Sequence, residues 1–288
     1  MTSQRVTPPP DRHPKTPRMS VPARACDSHF HVFGPQARFP FIDPRPLDAE
    51  DCTLEDLVAL QKALGLERGV VVQTAFYGTD NRCLLDCLAR EPARLRGVVA
   101  VGPDIGDEEI HSMTEAGVVG QRFSYIRSPE IDRRLVARIA EFGWHPQYWM
   151  QGEEQILAWR NAMLESPGRF VIDHMGWQPV ENGIDSPGFR VLLECLETGR
   201  CWVKLSGANR ISKEDDVPYS DTRPFARALI ERAPERLLWG SDWPHPNWWK
   251  SMPNDGDLLD LLDDWVDDES TLERILVDNP TELFGFPP

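Results

Sequence analysis

Positive charge is what this sequence has least of. Its 31 Lys and Arg stand against 46 Asp and Glu, a formal net charge of −15 with a pI near 4.9. So acidic a chain offers no basic face to nucleic acid or to an anionic membrane surface. Neither partner is expected, and a small molecule is. A long apolar run and a secretory leader are also missing, so no membrane association is expected, and a cytoplasmic location with reduced thiols is. The six cysteines, Cys26, Cys52, Cys83, Cys87, Cys195 and Cys201, are scattered along the chain. Cys83 and Cys87 lie one helical turn apart, but Leu84 and Leu88 mark that turn as packed helix, and core cysteines are expected. The acidic run from Asp255 to Glu273 lacks the ligand spacing and the glycine of a calcium loop. Its interleaved leucines make it the solvated face of an outer helix.

What is present is alternation. Residues 1–23 hold Pro8, Pro9, Pro10, Pro14, Pro17 and Pro22 and no apolar period, so they read as an extended or disordered arm. Residues 24–288 show no linker-like shift in composition and read as one domain. Strand signals fall at Asp27 to His31, Gly69 to Thr74, Gly97 to Val101, Val118 to Phe123, His145 to Met150, a run ending at His174, Trp202 to Leu205, and Leu237 to Trp239. Helical stripes lie between them; the first opens on the capping pattern Thr53-x-x-Asp56, and others stop at Gly117, Gly143 and Gly199. Eight strands alternating with helices predict a single (β/α)8 TIM barrel. The loop from Gly34 to Leu47, flanked and carried by Phe33, Phe39 and Phe41, reads either as a lid over the site or as a packed crossing.

The polar clusters sit where apolar strands run out, which is where such a barrel keeps its chemistry. Side chains alternate along a strand, so Asp27, His29 and His31 face one way and Phe30 the other. His174 ends strand six, and Asp242 follows strand eight, the neighbour of strand one. Each histidine alone reads more readily as a core or surface residue; four polar groups at matching strand ends argue for a site. A carboxylate beside imidazoles can take a proton from water, and N–H donors aimed at a carbonyl stabilise the oxyanion that follows. The same three His and one Asp also suit a single zinc with an open position.

Longer motifs carry a resemblance. Asp27-Ser28-His29-Phe30-His31-Val32-Phe33-Gly34-Pro35, Gly78-Thr79-Asp80-Asn81, Val171-Ile172-Asp173-His174-Met175-Gly176 and Trp239-Gly240-Ser241-Asp242-Trp243-Pro244-His245-Pro246-Asn247 occur in that order. From about residue 25 to Asn279-Pro280 the chain resembles the amidohydrolase superfamily, most closely its 2-pyrone-4,6-dicarboxylate lactonase branch. The resemblance implies a hydrolase that opens a small carboxylated lactone in aromatic-compound degradation, a muconolactone, a sulfonated muconolactone or a sugar lactone being other candidates. It implies a carbonyl polarised by His29, His31 and His174, and Asp242 as the base that activates water. Substrate contacts are implied at Arg122, Arg127, Arg210, Tyr77, Trp149, Trp177, His245 and Asn247. A guanidinium fork matches a carboxylate; the plain alternative pairs each arginine with an acid such as Asp173 or Glu130. The branch has arginine and tyrosine where this chain has Trp177 and Trp149, so one carboxylate grip gives way to aromatic surface. Strand four lacks the lysine that bridges two metals in other members, and Lys204 on strand seven is not that bridge. The resembled lactonase works without a metal, so the resemblance implies no cofactor, the alternative being one zinc on His29, His31, His174 and Asp242. A mononuclear-metal decarboxylase and an inactive binding barrel are the competing functions. The number of subunits is left open.

Overall fold

Eight parallel strands follow one another around a single sheet in chain order, in the computed structural model that describes residues 5–43, 45 and 47–287. They are β1 Cys26–Phe30, β2 Arg68–Val72, β3 Leu95–Val99, β4 Val118–Ser124, β5 His145–Trp149, β6 Phe170–Ile172, β7 Cys201–Leu205 and β8 Leu237–Trp239. Such strands are covered on both sides, so the runs are short, β-branched and continuously buried. In β2, a Cβ at Gly69 would run into Phe30 and Gln61 on the helix side, while Val70 and Val72 alternate with it and join Val98, Val171, Trp202 and Leu238 in an inner cluster. Leu283, Phe284 and Phe286 pack on that cluster.

β8 and β1 complete the ring without a regular ladder between them. Ser28 Oγ donates to Trp239 O at 2.6 Å, Asp242 N–H to His29 O at 2.8 Å, and His31 N–H to Trp243 O at 2.7 Å. The β1–β2 register shifts between Asp27 and Phe30. That irregularity modifies the simple alternation. Asp27 turns to Ser241, whose N–H and Oγ donate to its two oxygens at 3.0 and 2.6 Å, and so ties strand one to the loop after strand eight.

The outer helices fall between the strands. α1 spans Leu54–Leu64 and has the expected capping box, Thr53 with Asp56, and ends on Gly65 at φ 75°. α2 (Arg82–Arg90), α3 (Asp107–Glu115), α4 (Arg133–Glu141), α5 (Gly152–Leu164), α6 (Pro187–Glu197) and α7 (Arg223–Arg232) follow, each within a few residues of its expected place. α8 is Asp255–Trp265; the last helical stretch runs through Glu269–Glu273 and Asn279–Phe284 with a π-turn, Arg274–Asp278, between them. All six cysteines are buried and unpaired. Among the described residues no helix is long and apolar enough to cross a membrane.

Two expectations need correction. The described part of the arm is extended but not disordered: Arg5–Val6 pairs with Leu47–Asp48, Met19 is buried, and Arg18 Nε donates to Asp260 at 3.0 Å. Its cations seek the acidic helix, and this changes the second expectation too. α8 is not uniformly solvated, since Asp260 is covered by Arg18, Lys15 Nζ reaches Asp257 at 2.5 Å, and Asp255 is fully buried against His245. The Gly34–Leu47 segment is anchored by Phe33, Phe39 and Phe41, all buried; Pro44 and Pro46 within it lie outside the described residues.

Candidate active site

Backbone conformation singles out one end of the barrel. Among the described residues eight non-glycines have positive φ, and six of them follow β6 and β8: His174, Met175 and Trp177, then Asp242, His245 and Asn247, at 50° to 63°. Side chains other than glycine resist that region, at about 1–3 kcal/mol each. These two loops are therefore held in place by their surroundings. Close approach is allowed by Gly240, where a Cβ would come within 2.7 Å of His29 Cβ.

The loops bring the four expected catalytic residues together. Nε2 of His29, His31 and His174 lie 3.6, 3.5 and 3.6 Å from Asp242 Oδ1. Arg210 holds the other oxygen, donating to Oδ2 from Nε at 2.6 Å and Nη2 at 2.5 Å. Burial pushes the Asp242 carboxyl up, but the Arg210 guanidinium outweighs it and holds the group well below the ordinary carboxylate range. Asp242 is thus a carboxylate at neutral pH. Burial pulls all three imidazoles down, His174 to about 4, so they are neutral there.

What lies behind each imidazole decides what its front nitrogen does. His31 Nδ1 is 2.7 Å from Val72 O, which can only accept. The ring proton is therefore on Nδ1, and Nε2 faces the site with its lone pair. His174 Nδ1 meets Ser206 Oγ at 2.8 Å, a hydroxyl able to donate to it and leave Nε2–H in front. His29 Nδ1 has two neighbours at 3.1 Å, Asp173 Oδ1 and Lys204 Nζ. Asp173 also accepts from Arg122 Nε and Gln147 Nε2, each at 3.2 Å. Its burial is outweighed by His29, Lys204 and Arg122, which keep it ionised. Burial lowers the Lys204 ammonium to about 8, against the pull of Asp173.

Above the cluster opens a cavity of about 260 Å³, lined by His31, His174, Asp242, Arg122, Arg127, Arg210, Trp149, Trp177 and Asn247 among others. His29 is buried beneath it. Arg122 lies over the Trp149 ring, 5.3 Å from its centroid, and Arg210 over Trp177 at 5.2 Å, while the two tryptophans meet edge to face. The aromatic substitutions noted in the sequence thus support the arginines. The plain pairing holds for Arg122, which bridges to Asp173, and Arg210 pairs with Asp242 itself. Arg127 donates to a carbonyl, Gly78 O, at 3.2 Å. Two expected contacts are not brought to the cavity. Tyr77 is buried with its hydroxyl accepting Gly34 N–H at 2.7 Å, and His245 is buried with Nε2 3.1 Å from Asp255 Oδ1. Gln73, Ser124 and Gln151 line the cavity and were not expected; single polar residues at strand ends carry no pattern of their own.

The motifs, their order and the barrel that unites them have a common source. A family model described as amidohydrolase matches residues 26–286. The chain belongs to the amidohydrolase family. It is 38% identical over 286 residues to the 4-sulfomuconolactone hydrolase of Hydrogenophaga intermedia, covering 96% of this chain and 93% of that one. It is 36% identical to the 2-pyrone-4,6-dicarboxylate hydrolase of Comamonas testosteroni, over 94% and 93% of the two chains. A Pseudomonas putida structure, proposed to be a 2-pyrone-4,6-dicarboxylic acid hydrolase, superposes with a TM-score of 0.81 at 33% identity, covering 93% of this chain and all of that one.

In this amidohydrolase the residues present suit one divalent ion by spacing. His29, His31 and Asp242 offer ligand atoms within 4.8 Å of one another, as do His29, Asp173 and His174. The lone pair of His31 Nε2 faces the carboxylate, and the buried His29 Nε2 has no hydrogen-bond partner among the described residues. Such a convergence of acceptors calls for a proton or a cation at its centre.

Proposed function

We propose that this amidohydrolase opens the ring of a small lactone bearing acidic substituents. The observation that carries the reading is a buried, ionised Asp242 at the meeting point of three imidazoles, on the floor of a cavity walled by three arginines. Relatives that share more than a third of their residues with the chain act, by name, on a sulfonated muconolactone and a pyrone dicarboxylate. They favour neither the decarboxylase nor the inactive barrel.

The geometry divides the work between acceptors and donors. Water between Asp242 Oδ1 and His31 Nε2 meets two acceptors, and Asp242 takes its proton as the oxygen attacks the lactone carbonyl. His174 Nε2–H faces the same point and donates to the oxyanion that develops. This changes one expected role: neutral His31, with its proton committed to Val72 O, serves the water and not the carbonyl. As the acyl carbon–oxygen bond of the ring breaks, Asp242 returns the proton to the departing oxygen. Arg127, Arg122 and Arg210 hold the acidic substituents through charge-assisted hydrogen bonds. A divalent ion, if held by His29, His31 and Asp242, would supply Lewis-acid polarisation of the carbonyl. Metal-free hydrolysis remains our reading.

A panel of acidic and neutral lactones, followed by acid release with and without chelator, tests this. Acid release from an acidic lactone that survives chelation is expected. No turnover of any lactone removes the proposal, and turnover abolished by chelation and restored by zinc replaces its metal-free form.

A further inference from the structure

Asp242 sits on a loop that backbone preference alone does not favour. Between β8 and α8, Asp242, His245 and Asn247 have φ of 63°, 59° and 61°, each at about 1–3 kcal/mol for a residue other than glycine. Contacts must therefore hold the loop. From the barrel side Ser241 bonds Asp27, Asp242 N–H donates to His29 O, Trp243 O accepts from His31 N–H, and Pro246 O accepts from Arg210.

His245 ties the loop from the other side. Its N–H donates to Asp242 O at 2.8 Å and closes the turn that carries the base. Its ring, fully buried, reaches α8, with Nε2 3.1 Å from Oδ1 of the equally buried Asp255, the first residue of that helix. Among the described residues His245 Nδ1 and Asp255 Oδ2 have no hydrogen-bond partner, so each side chain has the other as its only one. A buried carboxyl with a single partner is costly, and apolar side chains of similar volume would fill the space as well. What apolar side chains do not supply is direction. The hydrogen bond fixes the plane of the ring, and with it the backbone at His245 whose N–H holds Asp242 O.

The helix end that offers Asp255 is itself secured. Asn254 caps α8: its Oδ1 accepts from Gly256 N–H at 3.1 Å and Lys15 N–H at 2.9 Å, and its Nδ2 donates to Asp11 Oδ2 at 2.7 Å and His13 O at 3.0 Å. Gly256 lets the arm lie this close, since a Cβ there would come within 2.2 Å of Lys15 O. The arm clamps the first turn of α8, and that turn clamps the loop of the base.

We propose that His245 and Asp255 form a positioning pair: braced by the N-terminal arm, they pin the Asp242 loop to α8 and keep the carboxylate within reach of the three imidazoles. The inference rests on Asp242 being the base of the proposed lactone hydrolysis, and adds what places it.

The double variant His245→Leu/Asp255→Ala removes both polar groups together, so that neither is left buried alone. Its circular dichroism is expected to stay native and its KM to stay near that of wild type, because Arg122 and Arg127 lie on other loops. Its kcat is expected to fall about ten- to a hundred-fold, the cost of misplacing a reacting group by about 1 Å. His245→Gln, which keeps an N–H for Asp255, is expected to restore most of the kcat. A crystal structure of the double variant is expected to show Asp242 Oδ1 moved away from at least one imidazole. A folded double variant with wild-type kcat overturns the proposal, as does an Asp242 that has not moved, or a His245→Gln protein as slow as the double variant. Should the double variant fail to fold, the nearly isosteric Asp255→Asn decides: its weaker amide acceptor is expected to lower kcat, and a wild-type kcat overturns the pair. A wild type that turns over no lactone removes the proposed function, and the position of Asp242 in the variant crystal then tests the pair by itself.

Discussion

At the scale of single residues the site is a contest between burial and compensation, and Asp242 shows it most sharply. Arg210 keeps the carboxylate ionised, while the imidazoles keep its other oxygen close to the reaction. Asp242→Asn is nearly isosteric but cannot take a proton, so circular dichroism is expected to stay native while kcat falls by a factor of about 10²–10⁴, the usual worth of a general base. A variant retaining most of its kcat would remove Asp242 from that role. The arginines are expected to separate. Arg127 has a carbonyl as its partner, so Arg127→Ala should cost an acidic lactone roughly ten- to a hundred-fold in kcat/KM, about 1.5–3 kcal/mol of charge-assisted bonding, and spare a neutral one. Arg210→Ala should slow both, because that guanidinium also orients the base. Equal losses for the two lactones in Arg127→Ala would mean that Arg127 holds the cavity wall and not the substrate. His29, His31, His174 and Asp242 were legible in the sequence because strand ends and motif order mark them. Lys204 was legible only as a strand-seven lysine that is not the metal bridge, since its partners Ser28, Gln147 and His29 come from other strands.

At the scale of elements, buried strands and amphipathic helices imprint their period on the sequence, so the barrel was readable from valine runs and helix stops. Contacts between elements leave no such imprint. The register shift in β1 that sends Asp27 to Ser241 is set by the neighbouring loop, and His245 faces away from the cavity because α8 presents Asp255 to it. The arm read as extended or disordered because its prolines break every period, and the sequence did not show that its arginine and lysine find the acidic face of α8. The β8–β1 junction, lacking a ladder, depends instead on close packing at Gly240. A methyl group there would lie 2.7 Å from His29 Cβ and 2.9 Å from the His29 nitrogen, backbone that cannot swing aside. Gly240→Ala is therefore expected to lower the thermal midpoint by several degrees, as overpacking by about 1–3 kcal/mol does, and to lower kcat far more than a comparable destabilisation elsewhere. Activity unchanged in a stable Gly240→Ala protein would show that the junction tolerates displacement and that the His29–Asp242 distance is not critical.

At the scale of the whole molecule, an acidic chain has buried several neutral histidines, and acid stability should record this. His174 is held down to about 4 and His145 to about 3 by burial, from an ordinary value of 6.5, and His29 and His31 are lowered in the same direction. The unfolded chain therefore binds more protons than the folded one below pH 6.5, and the stability these groups give above that value drains away as pH falls toward 4. Asp27 works in reverse. Burial raises its carboxyl from 3.8 to about 7, against its bonds to Ser241 and His29, so between those values the fold keeps a proton that the unfolded chain releases, and lowering the pH favours the fold. Four histidines against one aspartate leave net proton uptake on unfolding, each net proton worth about 1.4 kcal/mol per pH unit. Below about pH 4 the lowered carboxyls of Asp173 and Asp242 add to the loss. Scanning calorimetry is expected to show the melting temperature falling steadily from pH 7 to 4.5, with a shallower slope in His145→Gln and a steeper one in Asp27→Asn, which removes the opposing group. A melting temperature that stays flat or rises across that range would mean that the histidines enter the fold already charged, and the acceptor role of His31 beside Asp242 would fall with it.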